Sequence, residues 1–249
     1  MKSPDVAQLK IKIFADGADL KSIKDAATNP LIKGFTTNPT LMRSAGVTDY
    51  KAFALDVLKA VPERPVSFEV FADDFPTMEG QAREIASWGD NVYVKIPVSN
   101  TKGDFAGPLI AALSRAGVKL NVTAVFSEDQ ISKVGAALAE NTPAVVSVFA
   151  GRIADTGRDP VPHMRHALTL LKNCPKAELL WASPRELLNI FQADEAGCHI
   201  ITVPNDVIKK LSLVGKDLEA YSRETVQMFY RDATASAFSI PLAARRAAS

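Results

Sequence analysis

Asn91-Val92-Tyr93-Val94-Lys95-Ile96-Pro97-Val98 is a run of strand-forming residues interrupted by one charged side chain. A strand this apolar is expected to be buried on both faces, as in a parallel sheet covered by helices. Burying an ammonium group without a partner costs on the order of several kcal/mol, so the usual outcome is a neutral amine. A neutral lysine amine is a nucleophile that condenses with carbonyls. The run therefore predicts a covered parallel sheet and a candidate Schiff-base lysine. The plainer alternative is a lysine near the strand end, paired with a carboxylate or reaching water.

Outward from this run the same pattern repeats. Apolar strand-like segments are expected at 11–15, 34–37, 66–71, 92–96, 119–123, 144–149, 178–182 and 200–203. Between them lie apolar stripes at helical spacing, such as Phe53, Val57 and Val61, or Ile131, Val134 and Leu138, or Leu187, Ile190 and Phe191. Breakers fall where loops are needed, at Asn29-Pro30, Gly89-Asp90, Ala116-Gly117, Asn141-Thr142-Pro143 and Ala196-Gly197. Eight alternating units predict an α/β fold, a (β/α)8 TIM barrel, occupying the chain from 1 to 249 as one domain. A doubly wound open sheet is the alternative, but no Gly-x-Gly-x-x-Gly or Walker-type loop follows any strand. An extra C-terminal helix is expected over about 216–237, with Leu218, Tyr221, Val226 and Phe229 on one face, and a disordered tail over about 240–249.

Composition excludes several classes of function. The chain is 47% apolar and 23% charged, as in ordinary globular proteins, and its formal net charge of +1 gives no basis for nucleic-acid binding. No apolar run approaches the ~20 residues of a membrane span, and the polar segment Met1–Lys10 lacks the core of a signal peptide, so a cytoplasmic location is expected. Cys174 and Cys198 form no disulfide framework or metal spacing. His163 and His166 lack a carboxylate at matching spacing and read as a solvated helix start rather than half a metal site. His199 opens the last strand at the end opposite the chemistry. Trp88 and Trp181 read as packing residues, with Trp181 near enough to the rim to shape a pocket.

In a barrel, chemistry belongs at the C-terminal ends of the strands. Polar residues stand there on nearly every strand: Asp16, Asn38, Glu69, Lys95, Asn121 with Thr123, Ser147 followed by Arg152, and Ser183 with Arg185. Asp16, Asn38 and Ser183 each also fit a helix cap. Jointly, a buried lysine, two carboxylates, an amide and two arginines on one rim favour a site over a set of caps.

These residues also resemble a known family. Gly34-Phe35-Thr36-Thr37-Asn38-Pro39-Thr40-Leu41-Met42, Val92-Tyr93-Val94-Lys95-Ile96-Pro97 and Ser147-Val148-Phe149-Ala150-Gly151-Arg152-Ile153 are similar, in order and spacing, to three segments of the transaldolases. The chain length resembles the short branch that includes the fructose-6-phosphate aldolases. The resemblance implies a Schiff base on Lys95, Asp16 as general acid/base, and Glu69 with Thr123 holding a catalytic water. Asn38, Asn121 and Ser147 would bind the dihydroxyacetone unit, and Arg152, Ser183 and Arg185 the phosphate. It implies no metal or organic cofactor, sugar phosphates as substrates, the pentose phosphate pathway, and a homo-oligomer, with the pentamer and the decamer as alternatives. The aldolase branch has tyrosine and glutamine where this chain has Phe149 and Glu69, which favours transfer over simple cleavage. The competing expectations are a Schiff-base aldolase for another sugar and a barrel that binds a sugar phosphate without turning it over.

An unperturbed lysine, with a pKa of about 10.4, is neutral in only about 1 of 2,500 molecules at pH 7. Desolvation favours the neutral amine and neighbouring carboxylates favour the ammonium. The expectation is that desolvation wins at position 95.

Overall fold

The computed structural model describes residues 5–240. Eight parallel strands close into a barrel in sequence order: β1 (Lys12–Asp16), β2 (Ile32–Thr36), β3 (Val66–Glu69), β4 (Val92–Pro97), β5 (Leu120–Val125), β6 (Ala144–Val148), β7 (Ala177–Trp181) and β8 (Ile200–Pro204). Between and after them run α1 (Leu20–Ala27), α2 (Pro39–Ser44), α3 (Tyr50–Ala60), α4 (Phe75–Ala86), α5 (Gly107–Arg115), α6 (Glu128–Ala137), α7 (Ala150–Asp155), α8 (Pro160–Leu170), α9 (Leu188–Ala196) and α10 (Asn205–Lys209). This is the expected (β/α)8 architecture. The barrel unit spans Val6–Leu211, and a second compact unit contains α11 (Leu218–Ala235), slightly shorter than the helix expected from the sequence. Of the expected tail, 241–249 lies outside the described residues.

Local sequence sets the element boundaries. Asp19, Asn38, Asp49, Asp74, Ser127 and Asp159 each accept a backbone N–H in the first turn of the helix that follows, and Ser127 with Gln130 forms a reciprocal capping box. α9 ends on Gly197 at φ 86°, the left-handed conformation that glycine adopts without strain.

The β4 run is not uniformly buried, which corrects the first reading. Val92, Val94 and Ile96 face the helices and are buried, whereas Tyr93, Lys95 and Pro97 face the barrel interior and are partly exposed. Alternation was masked because the inward residues Tyr93 and Pro97 are themselves poorly polar. The interior is layered. At its N-terminal end Lys12 pairs with Glu178. Above them Phe14, Val145, Leu180, Ala182 and Ile200 form an apolar plug, against which Tyr93 and Phe149 pack. Gly34 makes this plug possible: a Cβ there would lie 2.5 Å from the Phe14 ring. Trp181 faces outward in the strand–helix core and is fully buried, so it packs as expected but does not shape the cavity.

Among the described residues, no helix is long and apolar enough to cross a membrane. His199 accepts the Leu179 N–H through its ring Nδ1 at 2.9 Å, a structural role at the end of the barrel away from the strands' C-termini.

Candidate active site

Above the plug, the C-terminal ends of the strands open on a cavity of about 450 Å³. Its walls include Asp16, Asn38, Glu69, Lys95, Asn121, Thr123, Ser147, Phe149, Arg152 and Ser183, ten of the residues singled out in the sequence. Parallel register puts Glu69 beside Lys95, and Lys95 beside Asn121. The Lys95 Nζ lies 3.1 Å from Glu69 Oε2 and donates to the Thr37 carbonyl at 3.2 Å. Lys95 thus sits in the cavity wall and has a carboxylate partner. The pair is well shielded, with side-chain exposures of 12% and 18%.

Asp16 ends β1 and accepts hydrogen bonds from the Thr36 hydroxyl at 2.9 Å and the Asn38 amide at 3.4 Å. Thr36 also contacts the Thr202 hydroxyl from β8. Desolvation by burial pushes the Asp16 carboxyl up from its ordinary pKa, against the opposing pull of the Lys95 charge and of the two hydrogen bonds. Asn38 does two jobs, since its Oδ1 caps α2 through the Leu41 N–H while its Nδ2 faces Asp16. Of the three cap candidates in the sequence, only Asn38 is one. Asp16 is tied to Thr36, and Ser183 takes a left-handed backbone at φ 60° instead.

On the opposite wall Asn121 donates to Ser67 Oγ at 2.9 Å and accepts from Ser147 Oγ at 2.7 Å. The Thr123 hydroxyl is buried without a protein partner, free to bond a reacting molecule. A register shift between Val122 and Val125, with Ala124 at φ 56°, bends β5 at this point. Strain of this kind gathers at functional sites.

Arg152 approaches from α7, its guanidinium carbon 5.3 Å from the Phe149 ring centroid, and Phe126 flanks that ring at 5.5 Å. Ser183 is brought close by Gly151: a Cβ on Gly151 would fall 1.5 Å from the Ser183 carbonyl oxygen, so only glycine permits this approach. Arg185 does not line the cavity. Its guanidinium makes a two-pronged contact with Asp155 at the end of α7, including Nε to Oδ1 at 3.1 Å. The sequence could not show this partner, which lies 30 residues away.

Thr36, Ser67 and Thr202 are not among the candidates the sequence offers. Thr36 and Thr202 line the cavity, and Ser67 supports Asn121 from one step below. Each was findable by stepping two residues along a strand, since Ser67 shares the inward face with Glu69, and Thr202 with the plug residue Ile200. His163 and His166 do meet a carboxylate, Glu128 of α6, at 3.8 and 3.6 Å. Spacing along the chain hid that contact. Among the described residues no group of three His, Cys, Asp or Glu side chains could hold a metal ion. Cys198 is buried, and desolvation pushes its thiol up to about 12, which leaves it inert at neutral pH.

Fold and mouth together define a (β/α)8 barrel with a shielded lysine and two carboxylates at its C-terminal face. A family model described as Transaldolase/Fructose-6-phosphate aldolase matches residues 13–241, and the chain belongs to that family, whose members are enzymes of the transaldolase and aldolase kind. A probable transaldolase of Dehalococcoides mccartyi is 36% identical over 202 residues, covering 81% of this chain and 90% of that protein. Another, from Caldicellulosiruptor saccharolyticus, is 34% identical over 207 residues, covering 81% and 89%. Among solved structures, 2,3-dimethylmalate lyase superposes with a TM-score of 0.57 at 14% identity, covering 96% of this chain and 87% of that one. 3-Hexulose-6-phosphate synthase gives 0.53 at 15%, covering 85% and 99%. At such identities the structural likeness is one of fold alone.

Proposed function

We propose that the protein is a transaldolase that transfers a dihydroxyacetone unit from a ketose phosphate to an aldose phosphate through a Schiff base on Lys95. The observation that carries this reading is the placement of Lys95 Nζ in the wall of a single cavity together with Glu69 and Asp16. Lys95 first gives up a proton, and Glu69 at 3.1 Å is the nearest acceptor. The free amine adds to the C2 carbonyl, and loss of water gives the iminium. Glu69 and the unpartnered Thr123 hydroxyl handle that water and its protons.

Asp16 takes the proton from the C4 hydroxyl. The C3–C4 electron pair moves into the iminium, leaving an enamine on Lys95 and a free aldose phosphate. Burial favours the protonated form of this carboxyl, so accepting a proton there is easier than for an exposed aspartate. The enamine then attacks an acceptor aldehyde, Asp16 returns its proton to the new hydroxyl, and hydrolysis frees the product. Asn38, Asn121 and Ser147 are suited to hold the substrate hydroxyls, and Arg152 with Ser183 to hold the phosphate. Arg185 joins them only by exchanging Asp155 for phosphate.

Phe149 and Glu69 favour transfer over the aldolase reading, because a phenyl ring offers no proton to end the enamine. The same reading takes the chain as a cytoplasmic homo-oligomer acting on sugar phosphates without a cofactor.

Borohydride reduction in the presence of a radiolabelled ketose phosphate tests the proposal. Covalent label is expected on the intact protein, located by mass spectrometry on Lys95, and absent from Lys95→Met. Label on another lysine, or none, would sink the Schiff-base reading.

A further inference from the structure

Tyr50 is the first residue of α3 and was not among the sequence candidates. Its hydroxyl meets both backbone groups of Glu69: it accepts the Glu69 N–H at 2.7 Å and donates to the Glu69 carbonyl at 3.0 Å. The reason lies in the sheet. β2 pairs with β3 only at Phe35–Val66 and Thr36–Ser67, and the chain then turns at Asn38 into α2. Along a strand, successive residues bond to opposite neighbours. Val70 bonds to Lys95 on the β4 side, so the N–H and C=O of Glu69 face the side that β2 has left. One phenolic hydroxyl, donor and acceptor at once, completes both groups.

The ring is fixed as firmly as the hydroxyl. Phe68 and Trp88 meet it edge-on, with centroids at 6.2 and 5.5 Å, and Phe71 lies tilted at 4.6 Å. Burial pushes the phenol well above its ordinary pKa, so it stays protonated and keeps its donor at any working pH.

We infer that Tyr50 is a positioning residue that sets the backbone of Glu69 and thereby the distance between the Glu69 carboxylate and Lys95. The inference rests on the Schiff-base reading for its kinetic consequence, but the positioning itself is a matter of two hydrogen bonds. A purely packing tyrosine would serve the aromatic cluster equally well without its hydroxyl.

The test compares Tyr50→Phe with Trp88→Phe, which disturbs the same cluster and leaves the hydroxyl. Amide hydrogen exchange by NMR on the full chain is expected to speed up at Glu69 by about tenfold or more in Tyr50→Phe. The Val70 amide, held by Lys95, should change far less. The rate of borohydride-trappable imine formation should fall by about ten- to a hundredfold, with KM for the ketose phosphate nearly unchanged. In a Glu69→Gln background the same tyrosine change should add little, because it acts through Glu69. Trp88→Phe should lower the melting temperature without slowing imine formation.

If Tyr50→Phe does not fold, 4-aminophenylalanine at position 50 keeps the ring and a donor while weakening the acceptor, and the same shift of Glu69 exchange is expected. An unchanged Glu69 exchange rate would overturn the inference, as would an equal slowing in the Glu69→Gln background. Failure to trap any imine on the native protein would overturn the Schiff-base reading instead, and the exchange experiment would still decide the role of Tyr50.

Discussion

The barrel interior is two regions with opposite chemistry, separated by one or two residues along each strand. Below lies the plug of Phe14, Val145, Leu180 and Ile200, while above it stand Asp16, Glu69 and Lys95, held by Thr36, Asn38 and Thr37. On β1 the change from Phe14 to Asp16 takes a single inward step, and on β4 it runs from Tyr93 to Lys95. The lower layer accounts for the survival of charges in the upper one. The apolar layer closes the interior from below, and the charged groups line a cavity that opens at the C-terminal ends of the strands. Charge interactions among them are then strong, and each unneutralised charge is costly. The plug supplies the low dielectric and the rim exploits it.

The largest expected effect comes from removing one charge from the upper region. Burial raises the pKa of Asp16 in the folded state above its unfolded value. The native state therefore holds this proton more tightly than the unfolded chain does. That contribution to stability is fully present below the unfolded pKa and is lost as pH rises through the folded pKa. At neutral pH an ionised Asp16 is thus a cost to the fold. Asp16→Asn should lower kcat by about 10²–10⁴-fold and yet raise stability toward urea at pH 7. The stability gain should shrink as pH falls through the raised pKa of the native carboxyl, below which the wild-type side chain is itself neutral. A variant that lost both activity and stability would show that Asp16 is part of the scaffold, and the two regions would not be opposed in the way described.

Much of this division was legible in the sequence, and the parts that were not share a cause. Asp16, Glu69 and Lys95 stand out because a charge within an apolar run is conspicuous, and apolar runs followed by helical stripes are enough to order a barrel. Partners were illegible wherever they arrive from another element. The hold of Tyr50 on Glu69 depends on where β2 stops pairing, which no local pattern announces. Asp155 takes Arg185 across a turn between two strand–helix units, and Glu128 takes the two histidines of α8 from the neighbouring helix. Thr36, Ser67 and Thr202 were passed over because hydroxyls are common in strands and only their facing distinguishes them. In β4 the poorly polar inward residues Tyr93 and Pro97 hide the alternation that marks an inward face.

The lower region is probed by Gly34→Ala. The added methyl would meet the Phe14 ring at 2.5–2.7 Å, closer than side-chain carbons can approach, so the ring or β2 must move. Overpacking of this kind costs about 1–3 kcal/mol. The effect should appear as a lowered midpoint in urea unfolding with an unchanged m-value. Imine trapping should persist, since neither Lys95 nor its partners touch the added group. Loss of trapping together with full stability would mean that the plug shapes the chemistry directly and that the boundary between the two regions is drawn too sharply.

The smallest effect should come at the boundary itself, where Phe149 packs on the plug from one side and meets the Arg152 guanidinium on the other. Phe149→Tyr adds one hydroxyl to the cavity wall and leaves the ring contacts in place. A phenol there can protonate the enamine and release free dihydroxyacetone before an acceptor arrives. The ratio of cleavage to transfer is expected to rise by roughly tenfold or less, because the donor is added to a site not built around it. Product analysis with and without an acceptor aldose phosphate measures that ratio. Stability should move by well under 1 kcal/mol provided the hydroxyl faces the open cavity, as position 149 at its wall allows. If the ratio stays fixed while the fold is intact, enamine protonation is controlled elsewhere on the rim, with Asp16 and Glu69 as the remaining proton carriers beside Lys95, and the boundary residue serves the plug alone.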